Sequence, residues 1–86
     1  MNINQLVEIV KNKLHNNIVC DNIEIQDKTF LHKSHASHDK NKFHIKLIIT
    51  SDYLKKKNKI QSTKEVYKIL DKELKHNIHS IQLLIK

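Results

Sequence analysis

The sequence lacks glycine, proline, tryptophan and arginine altogether, and it has a single cysteine, Cys20. One thiol excludes an internal disulfide and a Cys-x-x-Cys site, and it suits a reducing compartment. No apolar run approaches the roughly 18–20 residues that a membrane-spanning helix needs, so no membrane association is expected. The first residues have neither the basic start nor the apolar block of a signal peptide. These absences predict a cytoplasmic protein, or a mitochondrial one if a presequence has been removed.

The chain is short and basic, which favours a protein that works through its surface. Its 86 residues are expected to form one domain, residues 1–86, whose modest core cannot enclose a large cavity. The formal net charge is +7, and residues 28–64 hold ten lysines against two acids. Such a patch attracts phosphates or an acidic partner, although a solvated lysine face explains it equally well. The candidate nucleic-acid contacts within it are Lys55, Lys56, Lys57, Lys59 and Lys64.

Hydrophobic periodicity predicts one helix and three strands with clear limits. Apolar residues at helical spacing indicate a helix over residues 3–15, with Asn2 as its N-cap. Alternation of apolar and polar residues indicates strands over 18–27, 43–50 and 78–85. The second strand is also rich in β-branched and aromatic residues, which supports its assignment.

Two further helical segments are predicted between the second and third strands. A short helical turn is expected over residues 52–56, followed by a helix over 62–76. Ser62 or Thr63 can cap the start of this helix, and Glu65 can complete a capping box with Ser62.

The order of elements is therefore α-β-β-α-α-β. The first two strands form an antiparallel hairpin, because their connection has no apolar helical stripe. The later helix crosses over to bring in the last strand. This predicts an α+β fold, a three-stranded mixed sheet with helices on one face.

Four of the seven histidines are found in residues 29–44, at the connection between the first two strands, namely His32, His35, His38 and His44. They can bind a metal, catalyse, bind nucleic acid or be solvated loop residues. The first three, spaced three residues apart and without a cysteine pair, do not match a zinc finger. Autonomous binding of Zn²⁺ or Fe²⁺ by this loop remains one interpretation.

The other histidines and the cysteine have simpler interpretations. His15, His44 and His76 are interpreted as surface residues. His79 shares the parity of the apolar residues of its strand, so it can be a half-buried structural histidine. Cys20 is interpreted as a small strand residue and not as a nucleophile. Nothing in the sequence resembles a nucleophile–base pair, so no enzyme is expected.

An ordered set of short motifs resembles the BolA family, which has a class II KH-like fold. Asp-x-Thr-x-x-His-x-Ser-His at residues 27–35 is similar to the family's Asp-x-Ser-x-x-His-x-Gly-His. Phe-His-Ile at 43–45 is similar to its Phe-x-Val strand, and Ile-His-Ser-Ile at 78–81 to its Ile-His-Ala-Leu. The likeness extends over residues 3–86. Two family glycines are replaced here, by Ser34 and Lys56.

The resemblance implies a role in the assembly or trafficking of iron–sulfur clusters. BolA proteins pair with a monothiol glutaredoxin, and the heterodimer shares a [2Fe–2S] cluster. The glutaredoxin and glutathione supply thiolates, and the BolA chain supplies histidine ligands. By motif position the ligands here are His79 and His32, with His35 as the near alternative. The protein alone is then a monomer that holds no cluster tightly.

The alternative is a KH-like regulator of transcription that binds nucleic acid weakly. The family includes members linked to transcriptional control, and KH-like folds can clamp a nucleic-acid backbone with a Gly-x-x-Gly loop. The equivalent turn here is Lys-Lys-Lys-Asn-Lys at residues 55–59, which is basic but has no glycine.

Overall fold

A computed structural model describes residues 1–29 and 42–86. Among these residues the chain forms four helices and three strands. Their order is α-β-β-α-α-α-β, in which the last two helices occupy the region of the single predicted crossover helix. The bounds are α1 Ile3–Asn17, β1 Asn22–Asp27, β2 Phe43–Thr50, α2 Asp52–Lys55, α3 Lys59–Ile69, α4 Asp71–His76 and β3 Ile78–Ile85.

The sheet is mixed, as predicted, and β2 is its central strand. β1 runs antiparallel to β2, with Asn22 opposite Thr50 and Asp27 opposite Ile45. β3 runs parallel to β2. The predicted limits of the second and third strands, 43–50 and 78–85, are confirmed.

The helices pack on one face of the sheet and enclose an apolar cluster. The predicted N-cap of α1 is confirmed. The Asn2 side chain accepts a hydrogen bond from the Gln5 backbone N–H, and the Gln5 side chain accepts one from the Asn2 backbone N–H. α1 is linked to α4 by Lys13, whose ammonium lies 2.7 and 2.9 Å from the two oxygens of the buried Glu73 carboxylate. The buried apolar cluster consists of Leu6, Val10, Leu14, Ile18, Ile23, Ile45, Leu47, Ile49, Leu54, Val66, Leu70 and Ile78.

The predicted start of the first strand at residue 18 is wrong. Ile18 is the C-cap of α1, and its N–H donates to the Leu14 carbonyl at 2.8 Å. Its side chain is buried because the helix end, and not a strand, presents it to the core. Val19, the next residue, is 82% exposed, so only the first of these two adjacent apolar side chains is buried.

The predicted N-cap of the crossover helix is also wrong. α3 begins at Lys59, and Asn58 is the cap that accepts from the Gln61 backbone at 2.8 Å. Ser62 lies one turn inside the helix, where its buried hydroxyl donates to the Leu54 carbonyl at 2.7 Å and so joins α2 to α3. The predicted single helix over 62–76 is divided at Leu70 into α3 and α4, yet the Leu70 N–H still donates to the Val66 carbonyl and the Leu74 N–H to the Leu70 carbonyl.

Within the part of the chain that the structure describes, no helix has both the length and the apolar character required to cross a membrane.

Candidate functional site

His79 lies at an irregularity in the pairing of β3 with β2. Phe43 is opposite Ile78, whereas His44 is opposite Ser80, so His79 is an extra residue without a register partner. A bulge of this kind redirects a side chain and is over-represented beside functional sites. The interpretation of His79 as a half-buried residue is wrong, because the extra residue interrupts the alternation and leaves His79 exposed.

His44 is the immediate neighbour of His79 in the sheet. The two imidazole rings lie with their centroids 4.7 Å apart and their planes inclined at 59°. The interpretation of His44 as a surface residue is wrong: it is 4% exposed. Because β2 is the central strand, a side chain on either of its faces has neighbours on both adjoining strands. Its Nδ1 atom lies at hydrogen-bond distance, 2.6 Å, from the Ser80 hydroxyl oxygen.

The Asp-x-Thr motif, residues 27–29, lies at the same end of the sheet as His79 and His44. The Thr29 N–H and hydroxyl both donate to the Asp27 carboxylate, which turns the chain at the end of β1. The Thr29 oxygen in turn accepts from the His44 backbone N–H at 3.2 Å. The Lys28 N–H donates to the His44 carbonyl at 2.7 Å. The motif therefore joins the end of β1 to the start of β2, beside the two histidines.

The predicted loop ligands His32 and His35, and also His38, lie outside the described residues. Their flanking residues Thr29 and Lys42 lie at the edge that carries His79, because β1 ends there and β2 begins there. Among residues 1–29 and 42–86, no group of three or more histidine, cysteine or acidic side chains can hold a metal ion. The structure thus brings His79 together with His44, a residue that the motif comparison did not single out.

Cys20 lies at the opposite end of the sheet. Asp21 is hydrogen-bonded to Thr50, the last residue of β2, whereas His44 is the second residue of that strand. Six residues of strand, at about 3.3 Å each, place the thiol roughly 20 Å from the histidines. Cys20 precedes β1 and does not lie on it. Partial burial, and then the charge of Asp21, raise the pKa of the Cys20 thiol, which disfavours the reactive thiolate.

Four of the lysines proposed to bind nucleic acid, Lys55, Lys56, Lys57 and Lys59, follow the end of β2, which is remote from His79, and Lys64 lies five residues further along α3. Lys55, Lys56, Lys59 and Lys64 are exposed, on α2, the following turn and α3. Lys57 is partly engaged: its ammonium lies 3.3 Å from the Glu65 carboxylate and 4.8 Å from the centre of the Tyr53 ring. These contacts with Tyr53 and Glu65 raise the pKa of Lys57.

A shallow cavity of about 320 Å³ lies between this basic surface and β3. Its walls combine apolar side chains, among them Leu54 and Leu83, with Lys55 and Lys59. No aromatic side chain lines it in the part of the chain that the structure describes. The cavity therefore offers apolar and cationic contacts but no ring on which a base can stack.

Comparison with known proteins shows the class to which this fold belongs. The model of the BolA-like protein family matches residues 14–86, so the chain belongs to the BolA-like family, a family of the regulatory or partner type. The chain is 29% identical, over 76 residues, to the DNA-binding transcriptional regulator BolA of Haemophilus influenzae, covering 88% of this chain and 71% of that protein.

Solved structures show the same fold. The BolA domain of SufE1 from Arabidopsis thaliana has a TM-score of 0.76 and 24% identity, covering 100% of this chain and 93% of that one. BolA1 from the same plant also has a TM-score of 0.76, with 23% identity, covering 92% of this chain and 87% of that one. Mouse BolA1 has a TM-score of 0.72 and 18% identity, covering 92% of this chain and 62% of that one.

Proposed function

We propose that the protein pairs with a monothiol glutaredoxin and shares a [2Fe–2S] cluster with it. The observation that carries this proposal is the placement of His79. His79 is exposed at the irregularity near the start of β3. At this end of the sheet β1 ends and β2 begins, on either side of the segment that contains His32, His35 and His38. His79 is one ligand in this proposal, and His32, or alternatively His35, is the second.

The chemistry of the available donors supports sharing between two chains. Histidine can replace cysteine at an iron of a [2Fe–2S] cluster, and this raises the reduction potential. The chain's single thiol is about 20 Å from His79, so its own ligands are imidazoles and the thiolates must come from the partner and from glutathione. In this role the protein is a non-catalytic partner that is monomeric alone and heterodimeric with the glutaredoxin.

The test is a titration of this protein into a monothiol glutaredoxin that carries a cluster with glutathione. We expect a new visible circular dichroism spectrum that saturates at one chain of each protein per cluster, because the ligand set changes. We also expect the protein alone to remain colourless after the same reconstitution. A full cluster on the isolated chain, or a spectrum that does not change on mixing, would contradict the proposal.

A second candidate function is weak binding of nucleic acid through the lysine surface. Two observations favour it: the exposure of Lys55, Lys56, Lys59 and Lys64, and the relative that is named a DNA-binding transcriptional regulator. Contacts between lysines and phosphates release counterions, so the logarithm of the affinity should fall linearly with the logarithm of the salt concentration. An affinity for duplex or single-stranded DNA that does not depend on salt would exclude this candidate.

A further inference from the structure

His44 is held rigidly although neither proposed function assigns it a role. It lies at the variable position of the Phe-x-Val strand motif, so the family pattern does not account for it. Its backbone pairs with β3 on one side, and on the other it bonds to Lys28 and Thr29, which follow β1. Its ring is anchored by the hydrogen bond between Nδ1 and the Ser80 oxygen at 2.6 Å. Both the backbone and the side chain of His44 are therefore fixed.

Among residues 1–29 and 42–86, His79 is held less firmly than His44. It is exposed and is an extra residue opposite no residue of β2. Within the described part of the chain, its ring packs at a tilt against the His44 ring, with 4.7 Å between the ring centres and 59° between the planes. Tilted ring pairs at such separations are favourable and depend on orientation, so one ring restricts the rotamers of the other. An exposed histidine would otherwise pay the rotamer entropy of ordering when it bound a metal.

We propose that His44 is a positioning residue that, anchored by Ser80, orients the His79 imidazole for metal ligation. This inference rests on the proposed function of His79 as a cluster ligand. Partners that hydrogen-bond a metal-bound histidine and fix its ring change metal affinity by roughly 10–100-fold when they are replaced, and we expect an effect of this order from a ring that restricts the rotamers of His79. We assign the orienting part to the packing of the planar His44 ring, which a planar ring of similar size can reproduce, and the fixed position of that ring to its hydrogen bond with Ser80.

The first experiment examines the protein alone, without any cluster. The side-chain three-bond couplings of His79 are measured by nuclear magnetic resonance in protein labelled with ¹³C and ¹⁵N. We expect values of a single χ1 rotamer in the wild type and in His44→Phe, and values averaged over rotamers in His44→Leu. Gln82→Ala, an exposed change on the same strand, is the matched control and should behave as the wild type.

The second experiment measures how long the shared cluster survives after mixing with the glutaredoxin. We expect His44→Leu to shorten its lifetime by roughly 10-fold or more, and His44→Phe to retain most of the wild-type value. The amide spectra of β2 and β3 in the variants establish that the sheet is intact. If His44→Leu does not fold, Ser80→Ala, a change at an exposed residue, should produce rotamer averaging of His79 in the same direction.

The outcomes separate this inference from the function on which it rests. A wild-type protein that takes up no shared cluster contradicts the proposed function, and the inference with it, even where the couplings show an ordered His79. The positioning role alone is overturned if His79→Ala removes the shared cluster while His44→Leu leaves both the cluster and the His79 couplings unchanged. Equal losses in His44→Phe and His44→Leu would also overturn it, since the ring would then not be the orienting element.

Discussion

Cys20 shows how the environment of one residue decides its chemistry. Because burial raises its pKa, less thiolate is present at neutral pH than in an unfolded chain. We predict that iodoacetamide modifies Cys20 more slowly in the folded protein than in urea at pH 7, and that the rate in the folded protein rises steadily toward higher pH. Equal rates in both states at pH 7 would contradict this environment. Cys20→Ser should leave cluster sharing unchanged.

Thr29 serves a structural purpose in a motif that suggests a metal site. Its oxygen accepts from the His44 backbone, while its hydroxyl and N–H donate to Asp27. We predict that Thr29→Val, of similar shape, lowers the free energy of unfolding by about 1–2 kcal/mol, because the hydroxyl that bonds to the Asp27 carboxylate and to the His44 backbone is lost. Urea denaturation measures this, and Thr63→Val, which removes no such bond, should change the stability by less than about half as much.

At the scale of elements, the start of α3 can be tested directly. Asn58→Ala should lower the free energy of unfolding by about 1 kcal/mol, since it removes the side chain that accepts from the Gln61 backbone. Ser62→Ala should also destabilise, but through loss of the bond to the Leu54 carbonyl that joins α2 to α3. Thermal unfolding of the two variants and of Thr63→Ala compares them. A neutral Asn58→Ala would mean that the helix begins at the later residues that the sequence pattern suggested.

The elements that the sequence predicted well are those with uninterrupted periodicity. β2 has the predicted limits and α1 begins at the predicted cap, because the alternation or the helical stripe runs through each of them. β3 also has the predicted limits, since its sequence alternates regularly from Ile81 onward, beyond the irregularity at His79. Errors arose where polar residues have two roles: Ser62 is a good capping type, but it lies inside α3 and bonds across to α2. Asn58, the cap in the structure, was not among the predicted caps, because the apolar residues of α3 become regular only later in the helix.

The site was predictable only in part, for a related reason. The position of His79 follows from the motif at residues 78–81, but the extra residue in the β2–β3 pairing cannot be read from one strand alone. Its exposure was therefore missed. The His44 ring contacts Ser80 and His79, which lie on β3 and far from it in the sequence, so these contacts could not be predicted from the local sequence.

At the scale of the whole molecule, the two candidate functions lie at opposite ends of the sheet. His79 lies where β3 begins, whereas α2 and its lysines follow the end of β2, seven residues or roughly 20 Å further along. Exposed charges at that separation are largely screened at physiological salt, where the Debye length is about 8 Å. The two activities should therefore be separable by mutation.

We predict that Lys55→Gln, Lys56→Gln and Lys59→Gln together reduce the salt dependence of any DNA binding by up to about 3 charges, and leave cluster sharing unchanged. Lys57 is left in place because it contacts Glu65 and Tyr53. Electrophoretic mobility measured over a range of salt concentrations gives the slope, and His79→Ala should not alter it. Loss of both activities in the lysine variant would contradict the separation.

The central claim is that His79 binds iron, and the most direct measurement is the nitrogen hyperfine coupling of the reduced shared cluster. The protein is labelled with ¹⁵N at histidine only and mixed with an unlabelled glutaredoxin that carries a cluster. Pulsed electron paramagnetic resonance should detect a strongly coupled ¹⁵N in the wild type and in His76→Ala, a control at another exposed histidine. The coupling from His79 should be absent in His79→Ala. An unchanged ¹⁵N spectrum in His79→Ala would contradict the ligand assignment and, with it, the proposed function of this edge of the sheet.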